Sequence, residues 1–139
     1  MKVFIDTNVL IDLVCSRTNF VREAAIIFDL AYKGNYEIAI CALSFINAYY
    51  VGKRYKFRTE DLRDSLESIV GFVEVTPLDH NVLGRAFSLS SGDFEDVTQY
   101  YSAKTGNVDV IVTRNKKDFK FQDIKVLTPT EFLEEYFGT

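Results

Sequence analysis

The sequence predicts an α/β fold: one three-layer domain over residues 1–139, with a central parallel sheet of five strands. Three observations carry this. Short β-branched and aromatic runs alternate with segments whose apolar residues recur at helical spacing, and strands separated by helices pair in parallel through right-handed crossovers. Carboxylates follow these apolar runs, at the sheet edge where open α/β folds place their ligands. The 139 residues, 47% of them hydrophobic and 14% aromatic, furnish one sizeable core rather than two.

The elements follow in order. Lys2–Asp6 is a buried strand through Val3, Phe4 and Ile5. Asn19–Lys33 carries Phe20, Ala24, Ile27, Phe28 and Ala31 on one helical stripe, which Gly34 closes. Glu37–Cys41 is the second strand. Ser44 can cap a helix to about Tyr55, and Thr59 one to about Val70. Phe72–Val75 is the third strand. Asp79–Leu89 and Phe94–Lys104 are two further helices, and Leu89-Ser90-Ser91 does not read as a strand. Val108–Thr113 is the fourth strand and Lys125–Leu127 the fifth. Pro129 starts the last helix.

Charge narrows the function classes. The net charge of −4 leaves no overall basic field for nucleic acid or membrane, so a nucleic-acid partner needs a local patch or a metal. The loop Lys53–Arg58 is the main positive cluster and Arg114–Lys117 a smaller one. No stretch approaches the length of a membrane span, and no basic-then-apolar leader opens the chain. Cys15 and Cys41 lie far apart in apolar surroundings and read as buried reduced thiols. A soluble cytoplasmic protein is therefore expected.

The chemistry is expected in the acids. Asp6 ends the first strand. Asp93 and Asp96 open a helix. Asn115 and Asp118 follow the fourth strand. Converging, they make an oxygen-rich pocket without histidine, which suits Mg²⁺ or Mn²⁺. Each acid alone has a plainer reading. Asp6 can cap a turn, Asp93 can cap the helix at Phe94, and Asp118 can pair with Lys116 or Lys117. Asp96 is harder to dismiss, because its helix face continues through Tyr100 and Ala103 toward the sheet. Three carboxylates after different elements are difficult to explain as three independent caps.

Three strings then resemble a known family. Asp6-Thr7-Asn8-Val9-Leu10-Ile11-Asp12, Asp93-Phe94-Glu95-Asp96 with Gln99-Tyr100-Tyr101, and Thr113-Arg114-Asn115-Lys116-Lys117-Asp118-Phe119 look like a PIN domain of the bacterial toxin-type, VapC-like branch. The resemblance spans essentially the whole chain. It implies an Mg²⁺- or Mn²⁺-dependent endoribonuclease acting on single-stranded regions of RNA, a toxin restrained by an antitoxin, and a homodimer. Asp6 matches the first family acid and Asp96 the third. The second, a Glu in the helix after strand two, falls on Asn47. The fourth slot falls on Asn115, with Asp118 three residues on.

The expected ligands are accordingly Asp6, Asp96 and Asp118. Asn8, Asn47, Asp93, Thr113 and Asn115 support them from behind, although Asn47 can equally be a helix residue bonded to nearby backbone. Mg²⁺ often needs only one or two carboxylates, so fewer acids are tolerable. Arg54, Lys56, Arg58, Arg114 and Lys116 are the cations for RNA, and Tyr49, Tyr50 or Tyr55 can stack bases or pack in a core or dimer. Two other classes remain open. One is a PIN-like RNA- or protein-binding module that lost its second acid. The other is a phosphatase of the haloacid-dehalogenase type, which also sets an Asp after the first strand.

Overall fold

The computed structural model describes residues 1–89 and 92–138. Its five strands are β1 (Lys2–Ile5), β2 (Glu37–Cys41), β3 (Glu74–Thr76), β4 (Val110–Val112) and β5 (Lys125–Leu127). They pair in the order β3-β2-β1-β4-β5, every pair parallel. The helices are α1 (Thr7–Val14), α2 (Val21–Tyr32), α3 (Ala42–Arg54), α4 (Thr59–Val70), α5 (His80–Ser88), α6 (Phe94–Thr105) and α7 (Pro129–Phe137).

The period of two along each strand divides the core. Val3, Ile5, Ile38, Ile40, Val110 and Val112 face one side, where α1, α2, α3, α4 and α7 bring Val9, Leu10, Ile27, Ala48, Leu66 and Phe132. Phe4, Ala39, Cys41 and Ile111 face the other, against Tyr100 and Ala103 of α6, with α5 packed on that helix. Val3, Phe4 and Ile5 are fully buried, as befits the central strand of a sheet covered on both faces.

Several boundaries differ from the sequence-based expectation. A helix, α1, fills the segment after Asp6; its Val9, Leu10, Leu13 and Val14 carry a helical spacing in too short a run to stand out beside the strand. Ser44 is not a cap: α3 already starts at Ala42, and Ser44 is buried inside it, bonded to Thr7. Thr59 is the first residue of α4, with Arg58 before it at the cap position. The third strand lies at Glu74–Thr76 rather than Phe72–Val75, because Phe72 and Val73 pack sideways onto the core. The fourth strand is shorter, Val110–Val112. Gly34 does close α2, at φ 91°, a left-handed backbone that glycine adopts freely. The final helix begins at Pro129 inside a capping box of Thr128 and Glu131. Cys15 and Cys41 are buried free thiols, and no described helix is long and apolar enough to cross a membrane.

Candidate active site

The strand alternation aims the site. Ile5 faces the larger core, so Asp6, still extended at φ −64° and ψ 151°, turns to the α6 face; Thr113, one residue past Val112, turns the same way. The β1–β4 register sets them side by side, and Thr113 Oγ1 donates to Asp6 Oδ2 at 2.7 Å. The same hydroxyl accepts from the Asn115 backbone N–H at 3.1 Å. Asp6 caps α1 with its backbone alone; its carboxylate makes no helix-capping bond. The turn-cap reading of Asp6 therefore fails, and a buried carboxylate is left at the carboxyl end of the central strand.

Burial pushes the Asp6 carboxyl above the usual range, and the nearby Glu95 charge adds to this. Hydrogen bonds from Thr113, the Gln99 amide and the Thr7 backbone oppose it. Gln99 is fully buried. Its Oε1 accepts from the Thr7 N–H at 3.2 Å, which fixes the amide orientation and turns the Nε2 donor toward the Asp6 carboxylate.

Asp93 is the cap that the sequence predicts: its Oδ1 accepts from the backbone N–H groups of Glu95 at 2.9 Å and Asp96 at 3.2 Å. This places Asp96 in the first turn of α6, on the stripe that continues to the buried Tyr100 and Ala103. Asp96 is pushed up to about 7, first by burial and then by the charges of Asp6, Asp93, Asp118 and Glu95. No cation pairs with it among the described residues. Asp96, Asp93 and Asp118 line one cavity together with Lys117 and Lys120. Asp118 ends a short 3-10 turn, Lys116–Asp118, and is exposed at the rim, paired with neither Lys116 nor Lys117.

Among the described residues, no three ligating side chains stand close enough to form a ready metal cage. The donors nonetheless fit a hard divalent cation. They are all oxygens, and the charges of Asp6, Asp93, Asp118 and Glu95 act together on Asp96. Asp6 and Asp96 would hold it, with water completing the coordination.

The other expected residues are distributed unevenly. Asn8 and Asn47 line a groove with Thr7, Arg17, Tyr50, Arg54 and Glu95. Asn47 is not bonded to backbone: its Nδ2 donates to Glu95 Oε1 at 3.1 Å. Lys56 is exposed in the loop after α3, at φ 66°. Arg58 pairs with Glu60 at 3.0 Å and Lys116 with Glu131 at 3.1 Å. Arg114 has a different task from the one expected. It forks onto the buried Asp12, Nε to Oδ2 at 2.7 Å and Nη2 to Oδ1 at 3.2 Å, and lies over Phe20. An internal carboxylate must be paired, and this pairing commits the guanidinium to Asp12. Tyr49 packs on the core, whereas Tyr50 and Tyr55 are exposed. Sequence reasoning missed three residues that line these cavities, Arg17, Lys120 and Glu95. Only the last had a signal, as the neighbour of Asp96 in an acidic first turn.

The fold and these strings have recognisable relatives. The family model described as "PIN domain" matches residues 2–117. Ribonuclease VapC1 of Aquifex aeolicus is 26% identical over 140 residues, covering 97% of this chain and 95% of that protein. Among solved structures, a toxin-antitoxin complex from Klebsiella pneumoniae superposes with a TM-score of 0.68 at 23% identity, over 91% of this chain and 97% of that one. VapC20 of Mycobacterium tuberculosis, a sarcin-ricin-loop-cleaving toxin, superposes with a TM-score of 0.67 at 11% identity, over 88% and 98%. The haloacid-dehalogenase reading falls to this match; Ser90 and Ser91, on which it partly turned, lie outside the described residues. Because the family model spans most of the chain, from β1 through β4 and the turn beyond it, the protein belongs to the PIN domain family.

Proposed function

We propose that this chain is a divalent-metal-dependent endoribonuclease, the toxin of a toxin–antitoxin pair. One observation carries the reading. Asp6 is buried at the end of the central strand and held by Thr113, and its charge, with those of Asp93, Asp118 and Glu95, bears on Asp96, which pairs with no cation among the described residues. The names of the Aquifex and Mycobacterium relatives support RNA as substrate, and those of the complexes support an antitoxin partner. The homodimer and the cytoplasmic location belong to the same reading.

Asp6 and Asp96 would bind Mg²⁺ or Mn²⁺, which when bound supplies Lewis acidity toward a phosphate and an acidified water. The chain does the rest. Thr113 and Gln99 hold the Asp6 carboxylate in one orientation. Asp118, at the rim of the cavity, can accept a hydrogen bond from a water there. Lys117 and Lys120 on one side, and Arg17 and Arg54 on the other, can take the flanking phosphates of a single strand, with Tyr50 as a surface for a base.

The test is cleavage of single-stranded RNA by the purified protein with Mg²⁺ or Mn²⁺. Activity should vanish with EDTA and in both Asp6→Asn and Asp96→Asn, with the fold retained. Retention of RNA binding without cleavage by wild-type protein would favour the binding-module reading instead.

A further inference from the structure

We infer that Tyr100 is a positioning residue of this site: it clamps residues 120–123, which bring Lys120 and Phe121 to the Asp96 cavity, and so sets the affinity for RNA. The inference rests on the ribonuclease reading above and gives a role to a residue which that reading does not use.

Tyr100 is buried one turn beyond Asp96 on the same face of α6. Its hydroxyl reaches out of the core and donates to Asp123, 2.6 Å from Oδ1 and 2.7 Å from Oδ2. Its ring stacks on Phe121, with centroids 3.5 Å apart and planes 5° from parallel. Lys104, one turn further along α6, pairs with Asp123 Oδ2 at 2.9 Å and lies over the Tyr100 ring. The helix thus grips the segment on both sides of Gln122. Burial, and then Asp123, push the Tyr100 phenol up to about 12, so it keeps its proton and is the donor of the pair.

Residues 120–123 have little else to hold them. They belong to no helix or strand, and no main-chain hydrogen bond outside the sheet ladder ties them to other described residues. Phe119, buried in the core, and β5 anchor only the two ends. Between those ends, Lys120 and Phe121 line the cavity with Asp96, Val97 and Asp118. A phenylalanine at position 100 would fill the core as well as tyrosine does. The hydroxyl adds the hold on Asp123. A loose segment would have to be ordered each time RNA binds, and that cost falls on affinity rather than on the chemical step.

The experiment compares wild type with Tyr100→Phe, Lys120→Ala and the double variant. Tyr100→Phe keeps the ring and its burial and removes only the oxygen that donates to Asp123. Hydrogen exchange is measured without RNA. KM and kcat are measured for cleavage of single-stranded RNA with Mn²⁺. In Tyr100→Phe, amides of residues 120–123 should exchange about tenfold faster while those of the central strands hold. KM should rise about tenfold with kcat within about twofold of wild type. The double variant should have a KM close to that of Lys120→Ala, because a hydroxyl that acts through Lys120 has then nothing left to place. Unchanged exchange, a KM within about twofold of wild type in Tyr100→Phe, or increases that multiply in the double variant would overturn the role of Tyr100 and leave the ribonuclease reading standing. Wild-type protein that cleaves no RNA with Mg²⁺ or Mn²⁺ would overturn that reading and the inference with it.

Discussion

Removing the charge of Asp96 should stabilise the metal-free protein, and only above mildly acidic pH. Its carboxyl rises to about 7 because burial and four neighbouring carboxylates disfavour the ionised form. A group that binds its proton more tightly folded than unfolded makes stability fall as pH climbs between the two values. The penalty is absent below about pH 4, grows through the interval, and is complete above about pH 7. At about 1.4 kcal/mol per tenfold change in proton affinity, the rise corresponds to about 4 kcal/mol. Asp96 is partly open to solvent, which screens the repulsion, so about half of this, ~2 kcal/mol, is expected to be felt. Asparagine also forfeits the acid's favourable contact with the start of α6, about 0.5 kcal/mol. The net gain is about 1.5 kcal/mol. With an unfolding entropy of about 0.3 kcal/mol/K for a chain of this length, Tm should rise by about 5 °C.

The assay is thermal unfolding of Asp96→Asn and wild type in EDTA at pH 8 and at pH 4.5. The variant should be the more stable at pH 8, and the advantage should shrink or reverse at pH 4.5. Adding Mg²⁺ at pH 8 should raise the wild-type Tm and leave the variant's nearly unchanged, since only a ligand bound to the folded state shifts it. A variant that is less stable than wild type at pH 8, or a difference independent of pH, would show that Asp96 is an ordinary first-turn acid and that the carboxylates do not form a strained cluster.

Other expectations test neighbouring parts of the site. Thr113→Val removes the hydroxyl that donates to Asp6 and should cost about 1.5 kcal/mol in denaturant unfolding while weakening Mn²⁺ binding about tenfold. Arg114→Ala leaves Asp12 buried with only the distant Arg17, 3.5 Å away, and should cost about 3 kcal/mol in chemical denaturation. RNA affinity measured on the surviving folded fraction should change little, as expected of a cation occupied inside the fold. Asn47→Glu alone sets two carboxylates face to face and should lower metal-free Tm without a large gain in Mn²⁺ affinity; a clear gain would mean that Glu95 points elsewhere. Gly52→Ala would drive a Cβ into Leu62 where α3 crosses α4 and should cost about 1–3 kcal/mol.

Much of the fold was legible in local pattern. Val3-Phe4-Ile5 and Val110-Ile111-Val112 are short β-branched and aromatic runs, and the stripe from Ala24 to Ala31 has helical period. Such signals arise from the geometry of one element and need no neighbour. Asp93 could be recognised as a cap for the same reason: its two bonds reach only two and three residues along. The helix α1 escaped because eight residues beginning directly after a strand give the helical period too little length to register.

The sequence alone was sufficient to place Asp6 and Asp96 at the ends of apolar elements, and its three strings resembled a PIN domain before any contact was known. What those residues touch was decided by tertiary structure. Asp6 meets Thr113 across 107 residues, Arg114 is drawn to Asp12 across 102, and Asn47 to Glu95 across 48. Bonds of such separation depend on strand register and helix docking, which fix distances that no local spacing encodes. The same packing removes water from Asp12 and thereby commits Arg114 to it, a demand that exists only once the carboxylate is inside. It also brings Glu95 of α6 within hydrogen-bond reach of Asn47 of α3.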